Sequence, residues 1–203
     1  MRSCEVAKEH VTDKQNDRPS PAPATLPVMD GAAINRALRR IAHEIIERNP
    51  ELVLVTLAGI PSRGVEIARR IADIIQSLEK TPIETGVIDV SMHRDDVGKR
   101  ADLPRVQASR LPLPLENKTV IIVDDVFFTG RTARAAMDAI SSFGRPARIQ
   151  LAALIDRGHR ELPIRVDYVG KNLPTAAGER VRLRLENVDG EPDAVWLVKE
   201  EKA

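Results

Sequence analysis

Asp124 and Asp125 stand side by side directly after the apolar run Val120 to Val123, and Thr129, Gly130, Arg131 and Thr132 follow shortly downstream. An ionised aspartate is purely an acceptor, so two adjacent carboxylates can take hydrogen bonds from a pair of vicinal hydroxyls. The later turn precedes the helix-favouring run Ala133, Arg134, Ala135, Ala136, Met137. A helix start offers unpaired N–H groups and the positive end of the macrodipole, which together hold a phosphate. Thr129 and Thr132 add hydroxyl donors, and Gly130 lets the backbone approach closely. A diol on one side and a phosphate on the other describe a ribose 5-phosphate. The same residues also admit a plainer reading as a strand-end turn and a helix cap. Neither GxxxxGK[ST] nor GxGxxG occurs.

A buried strand must deliver the carboxylates, and the β-branched run Val120 to Val123 has that composition. Around it the chain alternates strands and helices. A helix is expected from Gly31 to Arg48, capped by Asp30, with Ile34, Leu38, Ile41 and Ile45 as its buried stripe. Its other face carries Arg36, Arg39, Arg40 and His43, which reads first as a solvated surface. Asn49-Pro50 ends it. Leu52 to Leu57 reads as a strand and Val65 to Leu78 as a helix. Between them lies Ala58 to Gly64, a loop whose Ser62 and Arg63 suit a second anion site.

Val87 to Met92 is the next expected strand. After it, His93, Arg94, Asp95 and Asp96 open a polar stretch to about Arg110 with Lys99, Arg100 and Arg105, long enough to serve as a lid. Gly144 and Pro146 turn the chain after the signature helix. Arg148 to Ile155 is a buried strand with Asp156 to Glu161 at its end, where α/β sheets place ligands. Val166 to Val169 reads as a short strand and Gly170 to Thr175 as a turn. Val181 to Glu186 and Ala194 to Val198 form a hairpin around Asp189-Gly190. The fold class is α/β with a parallel core.

The chain has 203 residues, 42% hydrophobic and 30% charged, and a formal net charge of +1. One domain is the natural expectation. A nucleic-acid role would need a local patch, since overall basicity is absent. The single cysteine, Cys4, excludes an intramolecular disulfide framework and suits a reducing compartment. No apolar leader is visible, and Leu52 to Ile60 is too short to span a bilayer, so a cytoplasmic location is expected. Residues 1–28, with Pro19, Pro21, Pro23 and Pro27, read as a disordered extension to a domain over 29–203.

Thr119 to Met137 resembles the phosphoribosyl-pyrophosphate (PRPP) signature of type I phosphoribosyltransferases. The stretches ALRRIAHEIIERN, GIPSRG, RDD at Arg94, DRGHRELP and YVGKN together resemble the PyrR family, pyrimidine-operon regulators with uracil phosphoribosyltransferase activity. The resemblance implies a type I phosphoribosyltransferase fold, a central mostly parallel sheet flanked by helices with a flexible lid and a small hood. It also implies transfer of ribose 5-phosphate from PRPP to uracil, giving UMP and pyrophosphate with Mg²⁺.

By matching position, Asp124 and Asp125 would hold the ribose hydroxyls, with Val126, Phe127 and Phe128 beside them. The Thr129–Thr132 turn would hold the 5′-phosphate, and Ser62, Arg63 and Arg94 the pyrophosphate. Mg²⁺ would be held mainly through PRPP, with Asp124 and Asp125 as possible ligands. Arg157 and the Tyr168–Val169 segment would line the uracil pocket, mostly through backbone groups. UMP-dependent binding to an mRNA leader would use Arg39, Arg40, His43, Arg48 and Arg160 in a homodimer or larger assembly. Three positions depart from the family: His93 and Phe128 replace tyrosines and Ser62 a threonine. No dedicated base for the uracil N1 proton is evident. Phe128, where purine-salvage relatives carry an acid, argues against a purine substrate.

Overall fold

A computed structural model describes residues 25–91, 108–176 and 178–199. His93, Arg94, Lys99, Arg100 and Arg105 lie outside these residues, as does Cys4. Five strands form the central sheet in the order β3-β2-β4-β5-β6: β2 (Val55–Gly59), β3 (Glu84–Val87), β4 (Thr119–Phe127), β5 (Arg148–Asp156) and β6 (Tyr168–Asn172). All neighbours are parallel. The central strands are therefore covered on both faces. Helices α1 (Gly31–Arg48) and α2 (Arg63–Glu79) pack on one face with Ile121, Val123, Ala152 and Leu154. Helix α3 (Arg131–Ser141) covers the other with Val120, Ile122, Leu151 and Ala153. Alternation along β4 and β5 thus feeds two apolar layers. No described helix is long and apolar enough to cross a membrane.

A second, antiparallel sheet has the order β1-β8-β7 and forms the hood: β1 (Thr25–Asp30), β7 (Glu179–Arg184) and β8 (Ala194–Lys199), with the single-turn α4 (Glu186–Asp189) inside the β7–β8 connection. β1 corrects the boundary read at residue 28, because residues 25–28 are already in a strand. Pro27 sits where the β1–β8 register shifts, a position that tolerates a missing donor.

Four boundaries differ from the sequence reading for local reasons. Residues 52–54 form a 3₁₀ turn, and β2 starts at Val55. α2 begins at Arg63. β3 ends at Val87, where an apolar run suggested a strand would begin. There the returning chain bridges Val87 through Arg110, and Asp89 turns the backbone by accepting from the Ser91 amide at 2.8 Å. Ile88 and Val90 are buried nonetheless, beneath the α3 layer. β6 runs through Gly170, which suggested a turn. A Cβ at 170 would collide with the Leu154 carbonyl, so this glycine marks a close strand approach.

Candidate functional site

The acidic pair lies within β4, not beyond it. β2 pairs with β4 only as far as Gly59↔Val123, whereas β5 continues to Phe127↔Asp156. From Asp124 onward β4 therefore has a partner on one side only, and a cleft opens where β2 has stopped. Successive strand side chains alternate faces, which gives the two carboxylates different surroundings. Asp124 is 8% exposed and its Oδ1 accepts from the Asp125 amide at 2.9 Å. Asp125 faces a cavity of about 470 Å³ with Arg63, Arg180, Val181, Leu183 and Arg184. The hood supplies most of that wall, which the sequence motifs did not reveal.

After β4, Gly130 takes φ 92° and caps α3, a backbone shape costly for residues with a Cβ. The Arg131 amide reaches Thr129 Oγ1 at 3.4 Å, and Thr129 O accepts from the amides of Glu161 and Leu162. The turn is thus tied to the loop after β5. Arg131 ion-pairs with Glu161 at 2.8 Å, and Thr132 lies in the first turn of α3. Phe127 is buried in the α3 layer, and Val126 packs against the α1–α2 layer.

Ser62 is exposed in the turn that opens α2, after a cis Pro61–Ser62 peptide. Arg63 is not free for an anion as it stands. Its Nε and Nη2 donate to Asp189 of α4 at 3.0 and 2.6 Å, and Arg184 joins at 3.0 Å. The Arg63 hydrogen bond holds the Asp189 carboxyl well below the usual carboxylate range. One turn along α2, Glu66 receives Arg69, Arg70 and Asn187, while Arg70 also pairs with Asp193. Hood and α2 are therefore clamped through charges that are distant in sequence.

Arg157 follows β5, its amide donating to Phe127 O at 3.1 Å. Its guanidinium lies 4.1 Å over the Phe128 ring and donates to Thr175 Oγ1 and Glu179 O. His159 meets Phe128 edge-on at 5.8 Å, and its Nε2 lies 2.5 Å from the Thr175 carbonyl. A carbonyl only accepts, so this nitrogen carries the proton. Arg160 turns back to Asp156 at 2.5 Å.

The Tyr168 side chain points into the core. Tyr168 is fully buried against α1, its hydroxyl donating to Gln150 and accepting from Asn49, both at 3.0 Å. Burial raises its pKa, outweighing the Asn49 hydrogen bond. The Val169 and Gly170 carbonyls accept from Arg40. Arg48 likewise donates to Asp167 O at 3.2 Å and lies over the Tyr168 ring. Arg40 and Arg48 thus cover carbonyls at and beside the edge strand β6 while remaining exposed on α1. Arg39 and His43 are exposed on α1, with no partner among the described residues.

This parallel sheet, carboxylate-bearing cleft and hood define a phosphoribosyltransferase. The "Phosphoribosyl transferase domain" family matches residues 28–184. The hypoxanthine-guanine phosphoribosyltransferase of Bacillus anthracis superposes with a TM-score of 0.65 at 14% identity, over 85% of this chain and 96% of that one. The hypoxanthine phosphoribosyltransferase of Trypanosoma cruzi gives 0.62 at 18% identity, over 86% and 97%. Those likenesses establish the fold alone. Sequence relatives are more specific. "Bifunctional protein PyrR" of Chloroflexus aurantiacus is 56% identical over 170 residues, 84% of this chain and 93% of the relative. Its namesake in Roseiflexus sp. is 52% identical over 172 residues, 85% and 94%. The chain belongs to the PyrR family.

Proposed function

We propose that this protein transfers ribose 5-phosphate from PRPP to uracil, giving UMP and pyrophosphate. One juxtaposition carries the reading: Asp125 and Arg63 line one cavity at the end of β4, and the strand runs on within a few residues to the Gly130 turn that opens α3. The relatives' shared name, with "bifunctional" in it, supports it. Asp124 and Asp125 accept from the ribose hydroxyls, and the Thr129–Thr132 turn donates to the 5′-phosphate. Arg63 meets the pyrophosphate by exchanging Asp189 for it, a like-for-like trade of anionic oxygens.

Magnesium fits this oxygen-rich site as an ion carried on the substrate. The described residues assemble no group of three ligating side chains, and Mg²⁺ commonly binds through one or two carboxylates plus phosphates. When bound it would neutralise charge on the departing pyrophosphate.

The test is to mix protein, Mg²⁺, PRPP and radiolabelled uracil. UMP is expected; its absence from folded protein, beside an active control enzyme, would overturn the reading. Faster use of hypoxanthine or guanine would replace it with a purine reading, which Phe128 disfavours because it carries no acid.

A regulatory role accompanies the enzyme in this proposal. Arg39 and His43, exposed and without partners among the described residues, support an RNA-binding face on α1, which a two-fold dimer would double. UMP should tighten binding to the host's own pyrimidine-operon leader. In a filter-binding titration, equal affinity for an unrelated RNA with no response to UMP would reduce this face to solvated surface.

A further inference from the structure

Arg63 has to meet a pyrophosphate in the reaction proposed above, yet its guanidinium is already engaged. Nε and Nη2 donate to the two oxygens of Asp189 at 3.0 and 2.6 Å, the same fork that an arginine makes with phosphate oxygens. The Asp189 side chain is 8% exposed, against 26% for that of Arg63. The carboxylate is thus held inside the protein, while Arg63 keeps access to the cavity that Asp125 also lines. An anion entering that cavity finds its cation neutralised. It must displace a buried carboxylate, not merely water.

The surroundings make that displacement feasible. When Arg63 leaves, Asp189 keeps two donors, Arg184 at 3.0 Å and the Leu185 amide at 2.9 Å. No buried charge is then stranded, which is what makes breaking an ion pair most costly. α4 also keeps its place, because Asn187 on Glu66 and Arg70 on Asp193 hold the hood to α2 one turn away. Asp189 is therefore a fixed acceptor, and Arg63 is the part that moves.

The incoming anion must match the charge and the two-oxygen geometry that Asp189 already offers. The pyrophosphate of PRPP does so with two phosphoryl groups, and it arrives tethered to a ribose phosphate held elsewhere in the cleft, which raises its effective concentration. Inorganic phosphate brings one group and no tether, so exchange gains it little. We propose that Asp189 is a specificity-determining residue, a built-in competitor on Arg63 that closes the pyrophosphate subsite to simple oxyanions and yields it to PRPP. It acts through Arg63, as a positioning residue. The inference rests on the uracil phosphoribosyltransferase reading above, with Arg63 as the pyrophosphate ligand.

The experiment follows UMP formation at fixed pH and ionic strength while inorganic phosphate is varied. In the wild type, phosphate should compete with PRPP at least about tenfold more weakly than pyrophosphate does. In Asp189→Asn the inhibition constant for phosphate should fall by about tenfold or more, the scale of one hydrogen bond to a charged group. KM for PRPP, measured without phosphate, should fall as well, with kcat changing less. A merely structural role predicts the reverse, a higher KM with phosphate sensitivity unchanged, and that result overturns the proposal. Asp189→Glu keeps the carboxylate and should keep phosphate excluded. Asp193→Asn breaks the other clamp between hood and α2 and should leave phosphate inhibition at its wild-type value; an equal gain in both asparagine variants would assign the effect to a loosened hood and overturn the role of Asp189. Should Asp189→Asn fail to fold, the wild type still decides, since phosphate that competes as strongly as pyrophosphate overturns the proposal. UMP formation with unchanged phosphate sensitivity in Asp189→Asn removes this role alone. A wild type that forms no UMP removes the uracil reading and this role with it.

Discussion

Two arginine–aromatic pairs sit on the central sheet, and they invert one another. Beneath the end of α1, the Tyr168 ring is fully buried while Arg48, 5.2 Å above it, stays exposed. At the carboxyl ends of the strands, Phe128 is 41% exposed and the arginine above it is buried. Burying an aromatic ring is favourable, and burying a guanidinium is not. The Tyr168 pair is the arrangement that stability alone selects. The Phe128 pair gives stability away at the strand ends, beside the proposed substrate site.

The largest test of that contrast is truncation of each ring. Tyr168→Ala should destabilise by about 3–5 kcal/mol, read as a drop in urea midpoint. Phe128→Ala should cost less than about 1 kcal/mol, because much of its ring already faces water. Similar losses at both sites would dissolve the distinction. Next in size is Asp125→Asn, which should lower kcat/KM for UMP formation by about 10²–10³-fold with the unfolding midpoint unchanged.

A smaller effect belongs to Glu66, whose charge is matched inside the protein. Burial would raise its pKa, but hydrogen bonds from Arg69, Arg70 and Asn187 outweigh that and hold it at about 2. A folded pKa below the unfolded value means the contribution is complete above about 4.5 and fades as pH falls toward 2. Stability should therefore drop by about 1–3 kcal/mol across that window. Glu66→Gln should flatten this part of the profile; an unchanged acid limb would show that the clamp contributes nothing.

Tyr168→Phe should cost about 1 kcal/mol by removing the hydroxyl shared by Asn49 and Gln150, with turnover intact. Smallest is Arg39→Ala, expected to change stability by under about 0.5 kcal/mol. In filter binding it should make the salt dependence of RNA affinity shallower by about one unit of slope.

Local patterns carried far into the structure. Asp30 does cap α1, its Oδ1 accepting from the Ala33 amide at 2.7 Å, and the motif loops do follow the strands they were read beside. What stayed hidden was set by distant partners. The composition of β1 reads as a linker because β8 supplies its pairing. Nothing near Arg63 announces Asp189. Tyr168, next to a motif in sequence, points inward because α1 packs over it, and that packing likewise gives the exposed Arg40 and Arg48 carbonyl partners far along the chain.

The hood joins the two ends of the described chain, since Thr25 pairs with Val198 while β7 completes the sheet from the other side. Its ladder closes a loop around the whole parallel domain, so contact order places it late in folding. A chain emerging from the ribosome can assemble the five-stranded core before β8 exists, but not the wall bearing Arg180 and Asp189. The nascent protein would thus hold the PRPP signature early and acquire a complete cleft only once its last strand is free.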